Sequence, residues 1–293
     1  MDQSLKFMDK SIEKPVVVYT PDSQMRNLGT LLRSMWRDLR DSKELAWRLF
    51  VRDISSQYRQ SMLGVLWAFI PPLVTSAVFI ILQMRNIVNF GDTDIPYPVY
   101  VIVSTILWQL FTESLNAPLK SVMAAKPLLV KIRFPREALI LSAFYTTIFG
   151  LGIKIILLSI ILVIFRLTPT WGWLFSLLPI FILILLGIAL GLLLTPLGML
   201  YSDVGNSLPI ATQLLFFLTP VVYPPPESFP FSMITYINPV SPILIAARDL
   251  LTKGAMGNFV PFVIISCITV IGLFVAWVIY RVAIPIIIER LSA

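Results

Sequence analysis

Residues 51–72 read VRDISSQYRQSMLGVLWAFIPP. The first ten carry Arg52, Asp53 and Arg59, the last ten carry no charge, and no strong turn signal separates the halves. The second half opens an apolar run to residue 84 that is long enough to cross a hydrocarbon core, which takes about 20 helical residues. Five similar runs follow, at 97–118, 138–165, 173–200, 207–223 and 259–281. Of the 293 residues, 57% are hydrophobic and 13% charged, and the mean hydropathy is +0.84. This balance excludes an ordinary soluble domain. The expected fold is therefore all-α, a polytopic membrane protein of six transmembrane helices filling 61–284, because only helices or closed barrels satisfy the backbone in lipid.

Counts remove several chemistries. The chain has no His, a single Cys (Cys267) and no Gly-Lys pair, so His-based acid/base work, an intrachain disulfide and a phosphate-cradling loop are all excluded. Nucleotide energy has to come from another polypeptide. Eleven Lys/Arg precede the first span, five lie between the second and third, and two follow the sixth; the opposite side receives Arg85, Arg166, Arg248 and Lys253. Basic residues favour the cytoplasmic side, so both termini are expected there, with 285–293 a short C-terminal tail and an inner membrane as the location.

Residues 1–40 read as a cytoplasmic tail with a short helix, and 41–60 as an amphipathic helix opened by Asp41 with Glu44 three residues on. Leu45, Leu49, Phe50, Ile54 and Tyr58 form one stripe and Arg48, Arg52, Ser55 and Arg59 another. Such a helix can lie on lipid or pack on a neighbour. Its junction with the first span favours lipid, with Ile54 and Tyr58 toward the bilayer and Arg52 and Arg59 toward phosphates or a partner protein. Gly64 leaves the bend unobstructed, and Pro71-Pro72 is expected to kink the span. The basic loop 120–137 presents Leu128, Leu129, Val130 and Phe134 within a positive collar, and Pro127 and Pro135 limit a helix there to about two turns. Residues 224–257 are too apolar for a free outer loop and too broken for one span, which fits two short helices re-entering the outer leaflet.

These segments together resemble the membrane subunit of ABC-2 type polysaccharide exporters, which move O-antigen, capsule and teichoic acid. The resemblance rests on RDISSQYRQSMLGVLW, LLVKIRFPRE, LTPVVY and INPVSP followed by Arg248, in order over about residues 45–281. YSDVGN at 201–206 departs from it, with Ser202 where an Arg is expected before the Asp. The resemblance implies a homodimer working with two copies of a separate ATPase on a lipid-linked polysaccharide, most simply O-antigen on a polyprenyl diphosphate. It implies that ATP and Mg bind that partner and that this chain holds no cofactor or metal of its own. It places an interface helix at Arg52, Asp53 and Arg59, and a coupling helix at Lys131, Arg133, Phe134, Pro135, Arg136 and Glu137, against the ATPase.

Aromatic rings suit a sugar path because they offer flat apolar area without gripping one hydroxyl pattern. Trp108, Phe111, Phe216, Phe217, Tyr223 and Tyr236 are the candidates by position, although any one of them alone is as readily a lipid-facing or interfacial ring. Glu113 and Lys154 are the ionisable residues inside spans and belong to the same candidate path, since charge at that depth costs about 2.5–3.5 kcal/mol and turns toward protein or water. Glu113 lies near the inner end of its span and Lys154 past the middle of the next, a placement that argues against direct contact. Lys154 either meets a lipid-linked pyrophosphate or snorkels to an interface. The competing function is a membrane glycosyltransferase or phosphotransferase acting on a polyprenyl carrier, which requires clustered acids for a divalent cation. The only close outer pair, Asp92 and Asp94, reads as a solvated turn beside Asn89 and Gly91. Membrane lipids are thus expected partners and nucleic acid is not.

Overall fold

The computed structural model describes residues 28–59, 61–131, 135–167, 170–226, 228, 231–257 and 259–292. Every regular element among them is a helix. Two helices, α1 (Leu28–Asp41) and α2 (Lys43–Arg59), precede a 3-10 turn at Gly64–Ala68 and α3 (Ile70–Met84). They are followed by α4 (Tyr97–Lys131), α5 (Glu137–Ile164), α6 (Trp171–Phe175), α7 (Leu177–Leu200) and α8 (Ser202–Leu218). Last come α9 (Phe231–Ile237), α10 (Val240–Thr252) and α11 (Phe259–Ser292).

Among the described residues, five segments are long and apolar enough to cross a membrane: Gly64–Met84, Tyr97–Leu129, Glu137–Ile164, Trp171–Leu200 and Phe259–Arg290. The expected fifth span is the exception. It forms α8, whose 17 residues rise only about 26 Å against a core of about 30 Å. A single extended residue, Tyr201, separates it from α7.

The core is built on α4 and α7. A β-carbon added to Gly187 would lie 2.6 Å from Ser114 Cβ, and one added to Gly191 would lie 2.3 Å from the Leu115 carbonyl oxygen and 3.0 Å from the Pro118 ring. The two glycines are four apart and share one face, so the backbones approach as small-xxx-small pairs allow in lipid. Both helices run the same way, since Gly187 meets Phe111 and Ser114 while Gly198 meets Leu119. α8 then returns. Its C-terminal turn is bonded by Tyr97 and Tyr100, at the start of α4, so α8 covers the depth that α4 covers from its start to Leu119.

Three boundaries correct the sequence reading. α4 does not stop at 118 or break at Pro127; it continues to Lys131, because Val122, Ala125 and Leu129 at helical spacing are all buried and hold those turns. α11 passes Pro285 and reaches Ser292, so the expected tail continues the last helix. Pro71 and Pro72 do not kink a span: they stand in the first turn of α3, where the missing amide hydrogen would have no partner in any case. The bend before them belongs to Gly64, whose φ of 50° is a conformation that glycine adopts at no steric cost.

α2 also corrects its expected environment. Its apolar stripe packs on α5 rather than on lipid: Ala46, Leu49 and Phe50 are buried, and Phe50 meets Tyr145 and Phe149 with ring centroids 6.1 Å away in each case. Residues 224–257 hold α9 and α10, and α10 is buried against α4, α7 and α11.

Candidate functional site

Below the α4–α7 crossing, α4 and α5 form an antiparallel hairpin that is covered on one side by α2 and the 3-10 turn. Between these four elements lies a cavity of about 510 Å³. From α4 it receives Gln109, Glu113, Ala117, Lys120 and Ala124, a stripe at spacings of three and four, and from α5 Ala143, Thr146, Thr147, Gly150 and Lys154. α2 contributes Asp53, Gln57 and Tyr58 and the turn contributes Trp67. Small residues make the room and polar ones line it.

Glu113 and Lys154 meet here. Lys154 Nζ donates to Glu113 Oε2 at 2.5 Å, with the lysine side chain 2% exposed and the carboxylate 39% exposed. This overturns the expectation that they stay apart, and it removes Lys154 as a free cation for a pyrophosphate. Gly150 provides the space, since a β-carbon there would lie 3.2 Å from Glu113 Oε2. Tyr58, expected on lipid, instead borders the cavity; burial, and then the Glu113 carboxylate, push its phenol above the ordinary range. Ile54 lines the same space.

The expected aromatic path is redistributed. Trp108, Phe111 and Phe216 form one cluster, with centroids 5.4 Å apart for Trp108–Phe111 and 5.7 Å for Trp108–Phe216, but all three are buried inside the chain and so are core rather than path lining. Phe217 is exposed. Tyr223 is half-buried and its hydroxyl donates to the Phe217 carbonyl at 2.7 Å. The side chain of Tyr236 lies outside the described residues. Phe111→Ala is therefore expected to cost about 3–5 kcal/mol of stability, read as an earlier thermal aggregation of the solubilised protein, before any effect on transport.

At the end of α8, residues 219–223 form a turn held by side chains from α4, from α10 and from Asn238 in the link between α9 and α10. Arg248, 3% exposed, donates to the Pro220 carbonyl at 2.9 Å and to Ser104 Oγ at 3.2 Å, with its guanidinium carbon 4.0 Å over the Tyr100 ring. Tyr100 donates to the Tyr223 carbonyl at 2.7 Å, Tyr97 to that of Val222 at 3.1 Å, and Asn238 to Thr219 Oγ1 at 2.8 Å. We expect Arg248→Met to destabilise by about 2–3 kcal/mol, as loss of hydrogen bonds from a charged donor does. Arg248→Lys should recover little, because an ammonium neither forks nor stacks as a guanidinium does; denaturation midpoints of the two variants decide it. Beside this turn, Lys253 donates to Asp94 Oδ2 at 2.6 Å, holding the Asp94 carboxyl below its usual range and the ammonium above its own.

At the opposite end, Arg281 of α11 donates through Nη1 to Glu137 Oε1 and through Nη2 to Asp38 Oδ2 at 2.5 Å and Ser34 Oγ at 3.1 Å. Tyr280 donates to the Arg136 carbonyl at 3.4 Å, and burial lowers the Arg136 pKa. Glu137 is thus corrected from a surface contact to a buried anchor. Arg52 and Asp53 bond each other at 2.7 Å; Arg59 and Pro135 are exposed and Arg136 is half-buried. The side chain of Lys131, and Arg133 and Phe134 entirely, lie outside the described residues.

Residues 44–252, spanning most of the helices above, match the ABC-2 type transporter family. The chain belongs to the ABC-2 type transporter family. Among relatives, it is 25% identical to the O-antigen export system permease protein RfbA of Myxococcus xanthus over 249 residues, 82% of this chain and 92% of the relative. RfbA of Klebsiella pneumoniae is 26% identical over 211 residues, covering 70% and 79%. The polysialic acid transport protein KpsM of Escherichia coli is 24% identical over 243 residues, covering 80% and 91%. The matched region of this ABC-2 chain contains the cavity and the turn at 219–223; Arg281, which ties down the base, lies beyond it.

The sequence reading missed Gln109, Thr146, Thr147 and Tyr58 as cavity residues and Asp38 as a partner of Arg281. For the cavity a signal existed: polar and small residues recur at helical spacing on α4 and α5, within runs otherwise apolar. For Asp38 there was none, since 243 residues separate it from Arg281.

Proposed function

We propose that this chain is the transmembrane permease subunit of an ATP-driven exporter. It moves a lipid-linked polysaccharide, O-antigen on a polyprenyl diphosphate, from the cytoplasmic to the outer side of the bacterial inner membrane. Two copies work with two copies of a separate ATPase that binds ATP and Mg. The observation that carries this reading is the extent of the likeness: relatives named as O-antigen export permeases are matched over as much as 92% of their length. The return of α8 to the level of Tyr97 and Tyr100 supports six crossings and hence termini on one side, which the basic residues assign to the cytoplasm. Exposed Arg52, Arg59 and Pro135 and half-buried Asp53, with Lys131, Arg133, Phe134 and Arg136, are the proposed ATPase contacts. Glu137 anchors the segment instead of touching the partner.

The purified chain is expected to hydrolyse no ATP alone and to restore surface polysaccharide to an export-deficient strain only together with its ATPase. Deleting 128–134 should abolish both ATPase capture and export. ATP turnover by the chain alone would end this reading.

A further inference from the structure

The cavity between α2, α4 and α5 is polar at a depth where polarity is costly. From Lys120 to Gln109 it follows α4 for 11 residues, which is about 16 Å of rise. Its volume, about 510 Å³, lies within the roughly 300–1,000 Å³ of small-molecule sites. Ionisable groups at such a depth mark substrate routes more often than scaffolding.

The lining indicates what fits. Two carboxylates, Asp53 and Glu113, face two ammonium groups, Lys120 and Lys154, and both carboxylates already hold cations: Glu113 takes Lys154 at 2.5 Å and Asp53 takes Arg52 at 2.7 Å. Such a balanced set offers no field to concentrate a phosphate. It offers instead donors and acceptors (Gln57, Gln109, Thr146) beside aromatic side chains (Tyr58, Trp67, Phe149), the residue types that suit a neutral polyhydroxy compound with a polar edge and a C–H face. One polar atom here is also unclaimed: Gln109 Oε1 is buried and has no hydrogen-bond partner among the described residues, which a ligand hydroxyl would correct.

We infer that this cavity is a carbohydrate-binding site that receives a neutral hexose unit at the inner side of the membrane domain. The assignment rests on the exporter reading for its physiological substrate, while its chemistry is read from the lining alone. Glu113 and Gln109 accept from sugar hydroxyls, and the 39% exposed Glu113 side chain keeps an oxygen available beside Lys154. Gly150, with no side chain, gives the Glu113 carboxylate its place in the cavity wall, a β-carbon there lying 3.2 Å from Oε2.

The test uses the full chain in nanodiscs of phosphatidylethanolamine and phosphatidylglycerol. Saturation-transfer difference spectra are recorded with methyl α-D-glucopyranoside and methyl N-acetyl-β-D-glucosaminide, with inorganic pyrophosphate as competitor. At least one glycoside should receive magnetisation from the wild-type chain, and pyrophosphate should leave that signal intact. Gly150→Leu, whose side chain displaces the Glu113 carboxylate that packs on Gly150, should remove it, and Gln109→Leu should weaken binding about tenfold, the loss of one or two hydrogen bonds to a desolvated group. Should Gly150→Leu not fold, Gln57→Ala on the exposed side of α2 and Thr146→Val give the same reading at milder cost. Absence of any glycoside signal, equal signals in the folded variants, or displacement by pyrophosphate would each overturn the assignment. Export is scored separately by surface staining of cells carrying the ATPase. Export without glycoside contact overturns the cavity assignment and leaves the exporter reading standing; glycoside contact without export does the reverse.

Discussion

Gly191→Leu is expected to abolish accumulation of the folded chain. Its β-carbon alone would lie 2.3 Å from the Leu115 carbonyl oxygen and 3.0 Å from the Pro118 ring, well inside contact distance. Neither is the far end of a flexible side chain, so no rotamer change relieves the overlap and α7 has to part from α4. Overpacking in a yielding core costs about 1–3 kcal/mol. Here the cost is larger, because separating the two helices also opens voids along the buried faces of Leu115, Leu119, Leu183, Ile188 and Leu192. In lipid, close packing is itself the main source of helix association. Fluorescence-detected size exclusion of a tagged chain measures this directly: the monodisperse peak should vanish for Gly191→Leu. Gly152→Leu on α5, where nothing lies within 4 Å of the added carbon, should elute like the parent, as surface substitutions within about 0.5 kcal/mol do. Equal peaks for both variants would mean that the α4–α7 approach is not as close as described.

What the sequence disclosed and what it concealed follow from the range of the forces involved. Composition and the long apolar runs are local quantities, and they sufficed for an all-helical membrane fold and for most span positions. The quotation RDISSQYRQSMLGVLW was enough to bring α2, the turn and α3 into one family pattern. Pairings were harder. Ending the second span at 118 left Glu113 near an apparent inner end, remote from Lys154. Once α4 runs to Lys131 and α5 starts at Glu137, Glu113 stands 18 residues before the turn and Lys154 17 after it, so an antiparallel hairpin brings them level. The sequence ends its apolar run at 118 and offers Pro127 as the boundary of a separate short helix, whereas the buried contacts of Val122, Ala125 and Leu129 carry one helix through both. Similarly, the stripe Leu45, Leu49, Phe50, Ile54, Tyr58 was visible, but amphipathicity does not say whether lipid or protein covers it. Tyr145 and Phe149, about 90 residues away, supply the cover.

Arg281→Ala is the second substitution expected to act strongly, and its effect should divide unequally between its partners. The guanidinium side chain is 9% exposed and serves two carboxylates, Glu137 at 6% and Asp38 at 26% exposure. Removing it leaves Glu137 buried without a cation, which costs about 3–5 kcal/mol for a broken buried pair. Asp38→Asn, at the more hydrated arm, should cost only about 1 kcal/mol or less. Removing both charges at once, Arg281→Met with Glu137→Gln, should recover much of the loss, because the penalty belongs to the stranded charge more than to the missing attraction. Arg281→Lys should fall between, one ammonium being unable to reach two carboxylates and Ser34 in fork geometry. Unfolding midpoints of the parent, Arg281→Met, Glu137→Gln and the double variant form the needed cycle, and a coupling energy near zero between positions 281 and 137 would remove the pair from the account. The consequence for transport follows from where these residues stand. Glu137 opens α5 directly after the proposed ATPase-contacting segment, and Arg281 sits near the end of α11. A push on that segment therefore reaches α11 and α1 through one side chain, and loosening it should lower export per ATP hydrolysed more than it lowers ATP hydrolysis itself.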